Sequence, residues 1–235
     1  MKLIVANFKM NLLSDEIDNY LKEITKYHFN NVVFCPSYIY LQKFIDNNLI
    51  VGSQDVSMHE KGTFTGDVSI LQLKSIGVKY AIIGHSERRN LYNDNKFVNN
   101  KIKKCLDNDV VPILCIGESL EEYKSNKTFD VLAKQIDEAF TDLQNINDVI
   151  IAYEPIYAIG SGIVPSNRVI YEAIEYIKKY VLDKYKINIK VLYGGSVNNE
   201  NITNLETIDN IDGYLIGGCS IKVYDFIDLI KKVNG

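Results

Sequence analysis

Eight short apolar runs recur along this chain at a steady interval, and that beat constrains the fold more than any other feature. They are Leu3–Ala6, Asn31–Cys35, Leu49–Gly52, Tyr80–Ile83, Val110–Cys115, Val149–Tyr153, Ile189–Tyr193 and Gly213–Ile216. Each is continuous and shows little polar alternation, as strands buried on both faces should be. Between them lie segments with helical spacing: Ile17, Tyr20, Leu21 and Ile24; Phe97, Ile102 and Leu106; Val131, Leu132, Ile136 and Phe140; Val169, Ile170, Ala173, Ile174 and Ile177. Ser14, Ser119 and Ser166 stand where N-caps would open three of these helices. Strand and helix alternating eight times implies parallel strands joined by right-handed crossovers. Eight such units in 235 residues predict an α/β chain folded as one (β/α)8 barrel over residues 1–235. An open doubly wound sheet is the alternative. It would usually carry GxGxxG after the first strand, and that pattern is missing.

Composition narrows the function classes. With 46% hydrophobic residues, the chain can bury about 70–75% of its unfolded surface. Net charge is −4 with both signs interspersed, so no nucleic-acid arm or polybasic membrane face is expected. No run reaches the ~18 apolar residues of a membrane span, and the N-terminus lacks a signal peptide's apolar stretch. A cytoplasmic protein is the expectation. Cys35, Cys105, Cys115 and Cys219 form no CxxC and are expected as buried thiols. His28, His59 and His85 form no ligand pair, so no metal is expected.

In a barrel, residues just beyond each strand converge on one face, and here they make a chemical set. Asn7 and Lys9 follow strand one, Gly84-His85-Ser86-Glu87-Arg88-Arg89 strand four, and Gly117-Glu118 strand five. Glu154 ends strand six. Pro155 keeps its backbone extended, and an apolar segment then leads to Gly160-Ser161-Gly162. Gly194-Gly195-Ser196 follows strand seven and Gly217-Gly218 strand eight. Glycine pairs there suit phosphate binding through backbone N–H groups, and Gly160-Ser161-Gly162 reads as an anion-gripping lid. Glu154 in a dry pocket can remove a proton from carbon. His85 opens a helical turn, where neighbouring N–H groups disfavour imidazolium, so it reads as a neutral hydrogen-bond donor. Lys9 adds a positive charge. Taken singly, each feature also fits a plain structural role. Together they fit proton abstraction next to a carbonyl in a small phosphorylated substrate. The segment Gln54–Asp67 is long, without periodicity, and carries Phe64 near a glycine-flanked tip, as an inserted contact would.

Six stretches carry a family resemblance: Ala6–Asn11, Ile83–Arg89, Cys115–Glu118, Tyr153–Gly162, Tyr193–Val197 and Gly217-Gly218. In kind and order they resemble the motifs of the triosephosphate isomerase family. The resemblance implies interconversion of dihydroxyacetone phosphate and glyceraldehyde 3-phosphate through an enediolate, without cofactor or metal. It implies Glu154 as base, His85 as neutral electrophile, and Lys9 with Asn7 as the electrostatic anchor. It implies phosphate on Gly160, Ser196, Gly217 and Gly218, with Ser86, Glu87, Cys115, Glu118 and Tyr193 in support. A homodimer is implied through Thr63, Phe64, Thr65 and Gly66. Departures from the family pattern are Phe8 and Tyr157 where Trp is usual, Asp94 where a longer acid is usual, and Ile163-Val164-Pro165 beyond the lid. In the family the tyrosine matching Tyr193 bonds a hinge N–H. Pro165 takes that position and has no N–H to give. Three other readings stay open on the residues: another phosphosugar barrel enzyme such as an aldolase, a glycosidase using Glu118 and Glu154, and a phosphate-binding barrel without catalysis.

Overall fold

The alternation along each strand sorts its side chains into two cores. The computed structural model describes residues 1–159 and 165–234. The strands are β1 Leu3–Asn7, β2 Val32–Cys35, β3 Gly52–Ser53, β4 Tyr80–Ile83, β5 Val111–Ile116, β6 Ile150–Tyr153, β7 Lys190–Tyr193 and β8 Gly213–Ile216. Val5, Val33, Cys35, Ile82, Ile113, Cys115, Ala152, Leu192 and Leu215 fill one cluster, inside the barrel. Their strand neighbours Ile4, Ala6, Phe34, Ile83, Leu114, Ile151, Tyr153, Val191, Tyr193 and Ile216 belong to the other, beneath the helices. Each such aliphatic side chain, fully removed from water, stabilises the fold by about 1.5–3 kcal/mol before entropy is counted.

All strand pairs are parallel, in the order β2-β1-β8-β7-β6-β5-β4-β3. The ring is nearly closed by one bridge, Phe34 to Val51, with the Phe34 N–H on the Ile50 carbonyl at 2.8 Å. The eight apolar runs thus fall on eight strands of a (β/α)8 barrel. The third is displaced: its ladder starts at Gly52 rather than Leu49. The helix Leu41–Asp46 is the reason, since its Phe44 carbonyl still holds the Leu49 N–H at 3.2 Å.

The predicted stripes lie on the helices Ser14–Ile24, Val98–Leu106, Thr128–Phe140 and Asn167–Tyr185. Ser119 and Ser166 cap as expected, accepting from the Glu122 and Val169 N–H groups. Ser14 does not. It is the first helical residue, its hydroxyl accepts from Lys43, and the Glu16 carboxylate takes the Leu13 N–H at 2.7 Å. Phe8 is fully buried, edge-on to Tyr20 at 5.0 Å and to Phe44 at 5.6 Å, so a smaller ring fills the family's tryptophan position.

The barrel's interior register continues past the strand ends. Counting by two from Val5, Cys115, Ala152, Leu192 and Leu215 reaches Asn7, Gly117, Glu154, Gly194 and Gly217, which therefore face the mouth. A Cβ at Gly117 would lie 1.7 Å from the Glu154 carbonyl oxygen, and one at Gly194 2.9 Å from Glu154 Cγ. Those two positions must stay bare for Glu154 to enter the mouth.

Candidate active site

Glu154 begins where β6 stops, its N–H held by the Ile116 carbonyl at 2.7 Å. Its side chain is buried. One carboxylate oxygen, Oε2, accepts from the Ser86 N–H at 3.4 Å, and Oε1 lies 3.4 Å from His85 Nε2. His85 is aimed there by Gly84, whose φ of +70° breaks the strand's alternation. The imidazole caps the helix Ser86–Tyr92, with Nδ1 accepting the Glu87 N–H at 3.2 Å. A backbone N–H can only donate, so Nδ1 carries no proton and the hydrogen sits on Nε2, facing Glu154. A carboxylate and a neutral N–H donor thus share one buried spot.

Lys9 stands opposite in a left-handed backbone conformation, φ +52°. For a non-glycine residue this costs about 1–3 kcal/mol and persists only where neighbours enforce it. Asn7 Oδ1 accepts the Lys9 N–H at 3.0 Å, while Gln54 Nε2 and the Ser37 hydroxyl donate to its carbonyl at 2.8 and 3.3 Å. Lys9 Nζ lies 2.6 Å from Glu87 Oε1, an exposed partner that leaves the ammonium at the pocket's edge. Gln54 also donates to the Cys35 carbonyl at 2.9 Å. Sequence reasoning missed this role of Gln54, because nothing local to it marks a partner 45 residues away. It also missed Arg89, which donates to the Gly84 and Cys115 carbonyls at 2.6 and 2.9 Å and ties the His85 turn to β5.

The pocket encloses about 230 Å³ and is lined by Asn7, Lys9, His85, Glu154, Ile159, Gly194–Asn198, Leu215 and Gly217–Cys219. Among the described residues the backbone N–H groups of Ser196, Gly217 and Gly218 have no internal acceptor. They form the pocket's donor-rich end. Gly160, the remaining expected phosphate contact, lies outside the described residues, as do Ser161, Gly162, Ile163 and Val164. Cys219 is half-buried and lines the pocket, unlike the other three cysteines, which are enclosed as expected. Cys115 sits inside the barrel, and burial first, then the Glu154 carboxylate, hold its thiol protonated. No group of three or more His, Cys, Asp or Glu among the described residues is placed to hold a metal ion.

Glu118 and Tyr193 lie behind the pocket, not in it. Glu118 is fully enclosed and absent from the pocket wall, which removes it as a glycosidase partner for Glu154. Its Oε1 accepts the Tyr153 hydroxyl at 3.0 Å, and its Oε2 has no hydrogen-bond partner among the described residues. The Tyr193 hydroxyl is buried and likewise without a partner among the described residues.

A (β/α)8 barrel with a small polar pocket at the carboxyl ends of its strands is the architecture of a barrel enzyme. Comparison with known proteins supplies the family. The family model described as triosephosphate isomerase matches residues 2–233. A triosephosphate isomerase of Alkaliphilus oremlandii is 40% identical, the match covering 97% of this chain and 98% of that protein. Those of Mycoplasmopsis pulmonis and Francisella tularensis subsp. mediasiatica are 38% and 36% identical, with at least 96% of both chains covered in each case. The chain belongs to the triosephosphate isomerase family and is an isomerase. No helix among the described residues is long and apolar enough to cross a membrane.

Burial pushes the Glu118 carboxyl up from 4.5 to about 7. The folded chain therefore binds that proton more tightly than the unfolded chain, and stability falls as pH rises from the unfolded value through the folded one. Glu118→Gln has no charge to bury. Urea denaturation at pH 5 and pH 8 should show the variant gaining on wild type by on the order of 3 kcal/mol across that window. A gap that does not change with pH would contradict the assignment.

Proposed function

We propose that the chain interconverts dihydroxyacetone phosphate and D-glyceraldehyde 3-phosphate, with Glu154 as the base and His85 as the electrophile. The observation that carries this reading is the Glu154–His85 contact at 3.4 Å with the histidine proton on Nε2. Glu154 takes the proton from C1 of the ketone, the C1–H electron pair forms the C1–C2 double bond, and the carbonyl oxygen becomes an enediolate. The Nε2–H of His85 and the ammonium of Lys9 stabilise the developing negative oxygen, as preorganised donors do most strongly in a dry site. Proton shuttling between the two oxygens, and return of the carbon-bound proton to C2, completes the aldehyde. Electrons balance with no external oxidant. The phosphate rests on the N–H groups of Ser196, Gly217 and Gly218, with Lys9 and Asn7 beside it.

Glu154→Gln keeps the shape and removes the base, so turnover should drop about 10²–10⁴-fold while binding of an unreactive triose-phosphate analogue persists, and a variant within about threefold of wild type would exclude Glu154 from the chemistry.

The same reading pairs two chains through the loop at Thr63–Gly66. Phe64 is 40% exposed and stacks on His59 at 3.7 Å, beside a cavity of about 330 Å³ lined also by Asp55, Arg88 and Lys101. Met10, next to Lys9, is 95% exposed. A second copy would cover both and shield the Lys9 turn. Replacing Thr63–Gly66 by Gly-Gly should give monomers in sedimentation velocity with most activity lost; an unchanged dimer peak would refute this contact.

Tyr193 and Ser196 place unequal demands on two further variants. Pro165 offers no N–H, so Tyr193→Phe should alter turnover little. Ser196→Ala removes a pocket-wall hydroxyl and should slow turnover and raise methylglyoxal release from the enediolate. Equal damage from both would show that Tyr193 has another partner during turnover.

A further inference from the structure

Three residues hold Lys9, and the residues next to them meet at one place. Ser37 and Gln54 donate to the Lys9 carbonyl at 3.3 and 2.8 Å, and Glu87 Oε1 lies 2.6 Å from Lys9 Nζ. They stand in three different connections, after β2, β3 and β4. Asp55 follows Gln54 in the chain. Tyr38, next to Ser37, donates its hydroxyl to the Asp55 carbonyl at 2.7 Å. Arg88, next to Glu87, places a guanidinium nitrogen 2.8 Å from Asp55 Oδ2. Asp55 thus joins the three supports of Lys9 from behind.

The sheet gives these connections little support of its own. The β3–β4 ladder ends at Ser53 and Ala81, and β2 meets β3 at the Phe34–Val51 bridge. Side chains hold what lies beyond. Lys101 Nζ sits 2.8 and 2.9 Å from the two carboxylate oxygens of Asp55 and 2.8 Å from both of those of Asp94. Asp94 opens the turn Asp94–Phe97 that follows the helix Ser86–Tyr92, and Lys101 stands on the next helix, Val98–Leu106. Asp55, Asp94 and Lys101 are all buried. Two carboxylates there meet two cations, so the charges balance. Such an enclosed set adds little stability over apolar packing, yet losing one partner is costly. What it supplies is direction, because each charge-assisted bond is short and fixes the groups it joins.

We propose that Asp55 is a positioning residue for Lys9: by gripping Tyr38, Arg88 and Lys101 together, it sets Ser37, Gln54 and Glu87 where they hold the Lys9 backbone in its left-handed turn and its ammonium at the pocket's edge. The proposal rests on Lys9 serving the isomerisation described above. Asp55 lies outside the pocket that Lys9 lines, so it acts only through the cation. Removing its charge releases Arg88 and leaves Lys101 with Asp94 alone. The three connections then shift against one another, and Lys9 loses its alignment with the phosphate and the developing negative oxygen. A displacement of about 1 Å at such a group is enough to cost on the order of 10²-fold in rate.

The test is a double-mutant cycle. Asp55→Asn and Tyr38→Phe are each made in wild type and in Lys9→Met. For every variant kcat and KM are measured, together with the Kd of glycerol 3-phosphate, which has the phosphate but no carbonyl, by NMR titration. Sedimentation velocity at the assay concentration accompanies them, because the Phe64 loop borders the same cavity as Asp55. In wild type, Asp55→Asn should lower kcat/KM about tenfold or more and weaken glycerol 3-phosphate about fivefold; where Lys9 is already gone, both losses should shrink below about twofold. Tyr38→Phe removes one bond and no charge, so it should show the same pattern at about two- to threefold, and it serves alone if Asp55→Asn does not fold. Equal fold-losses in the two backgrounds would mark a purely structural role. Unchanged kinetics in Asp55→Asn, or a loss confined to samples whose sedimentation peak has shifted, would also overturn the proposal. Each of these leaves the isomerase reading standing. Absence of wild-type turnover would overturn that reading, and this proposal with it.

Discussion

Nothing larger than glycine fits at position 117, where an ideal Cβ would lie only 1.7 Å from the Glu154 carbonyl oxygen. Strands β5 and β6 are drawn together there by the Glu154 N–H on Ile116 and the Ile156 N–H on the Glu118 carbonyl. An eight-stranded barrel is just wide enough for its own side chains. A carboxylate can enter its mouth only if the surrounding residues shrink. Here they do: Gly117 and Gly194 lie against the acid, with Cys115 and Ser86 beside its carboxylate. The contacts that stop Glu154 from wandering, from the Ser86 N–H and from His85 Nε2, depend on that narrow fit.

Opposite the acid the constraint is reversed. Lys9 is held in a backbone conformation it would not adopt freely, at about 1–3 kcal/mol. The three hydrogen bonds on its own N–H and carbonyl, at about 0.5–1.5 kcal/mol each, are enough to offset it. Two of them come from Ser37 and Gln54, in the connections after β2 and β3. The cation's placement therefore depends on the least regular part of the ring, where β2 and β3 share a single bridge. That region also carries the Phe64 loop. Packing a second copy there would stiffen the part of the barrel that its own ladder holds least.

The sequence made the fold legible because the interior of a parallel barrel is apolar on both faces of each strand, so the runs from Leu3 to Ile216 stand out from their flanks. The acid, the imidazole and the lysine were legible for a related reason: strand ends in a barrel share one face, so position along the chain reports position in space. Gln54 and Arg89 escaped that logic. Their partners are the main-chain carbonyls of Lys9 and Cys35 and of Gly84 and Cys115, and a carbonyl leaves no signature in residue type. The Ser14 cap was misplaced because the helix starts one residue earlier than a capping serine would set it: Leu13 is the N-cap, and Glu16 reaches back from inside the helix to the Leu13 N–H. Glu118 was placed on the right strand, yet its turn away from the mouth follows from parity: Gly117 continues the interior register, so the next residue points outward, under the helices.

That parity has an energetic consequence. A residue pointing outward at the end of β5 enters the layer between sheet and helices, which is otherwise apolar. Putting an acid there costs stability whenever it ionises, and a partnerless buried polar atom adds about 1–3 kcal/mol. Both unsatisfied side-chain atoms behind the pocket, Glu118 Oε2 and Tyr193 Oη, border the chain that leads from Glu154 through Tyr157. Elsewhere in the same layer Tyr20 and Tyr214 hydroxyls have partners, on the Ser220 carbonyl and Glu206. Glu118 Oε2 and Tyr193 Oη thus leave the layer behind the pocket with a stability cost that Tyr20 and Tyr214 do not carry. An apolar side chain at 118 would relieve that cost but leave the buried Tyr153 hydroxyl without its acceptor, so removing the acid trades one unpaired polar atom for another.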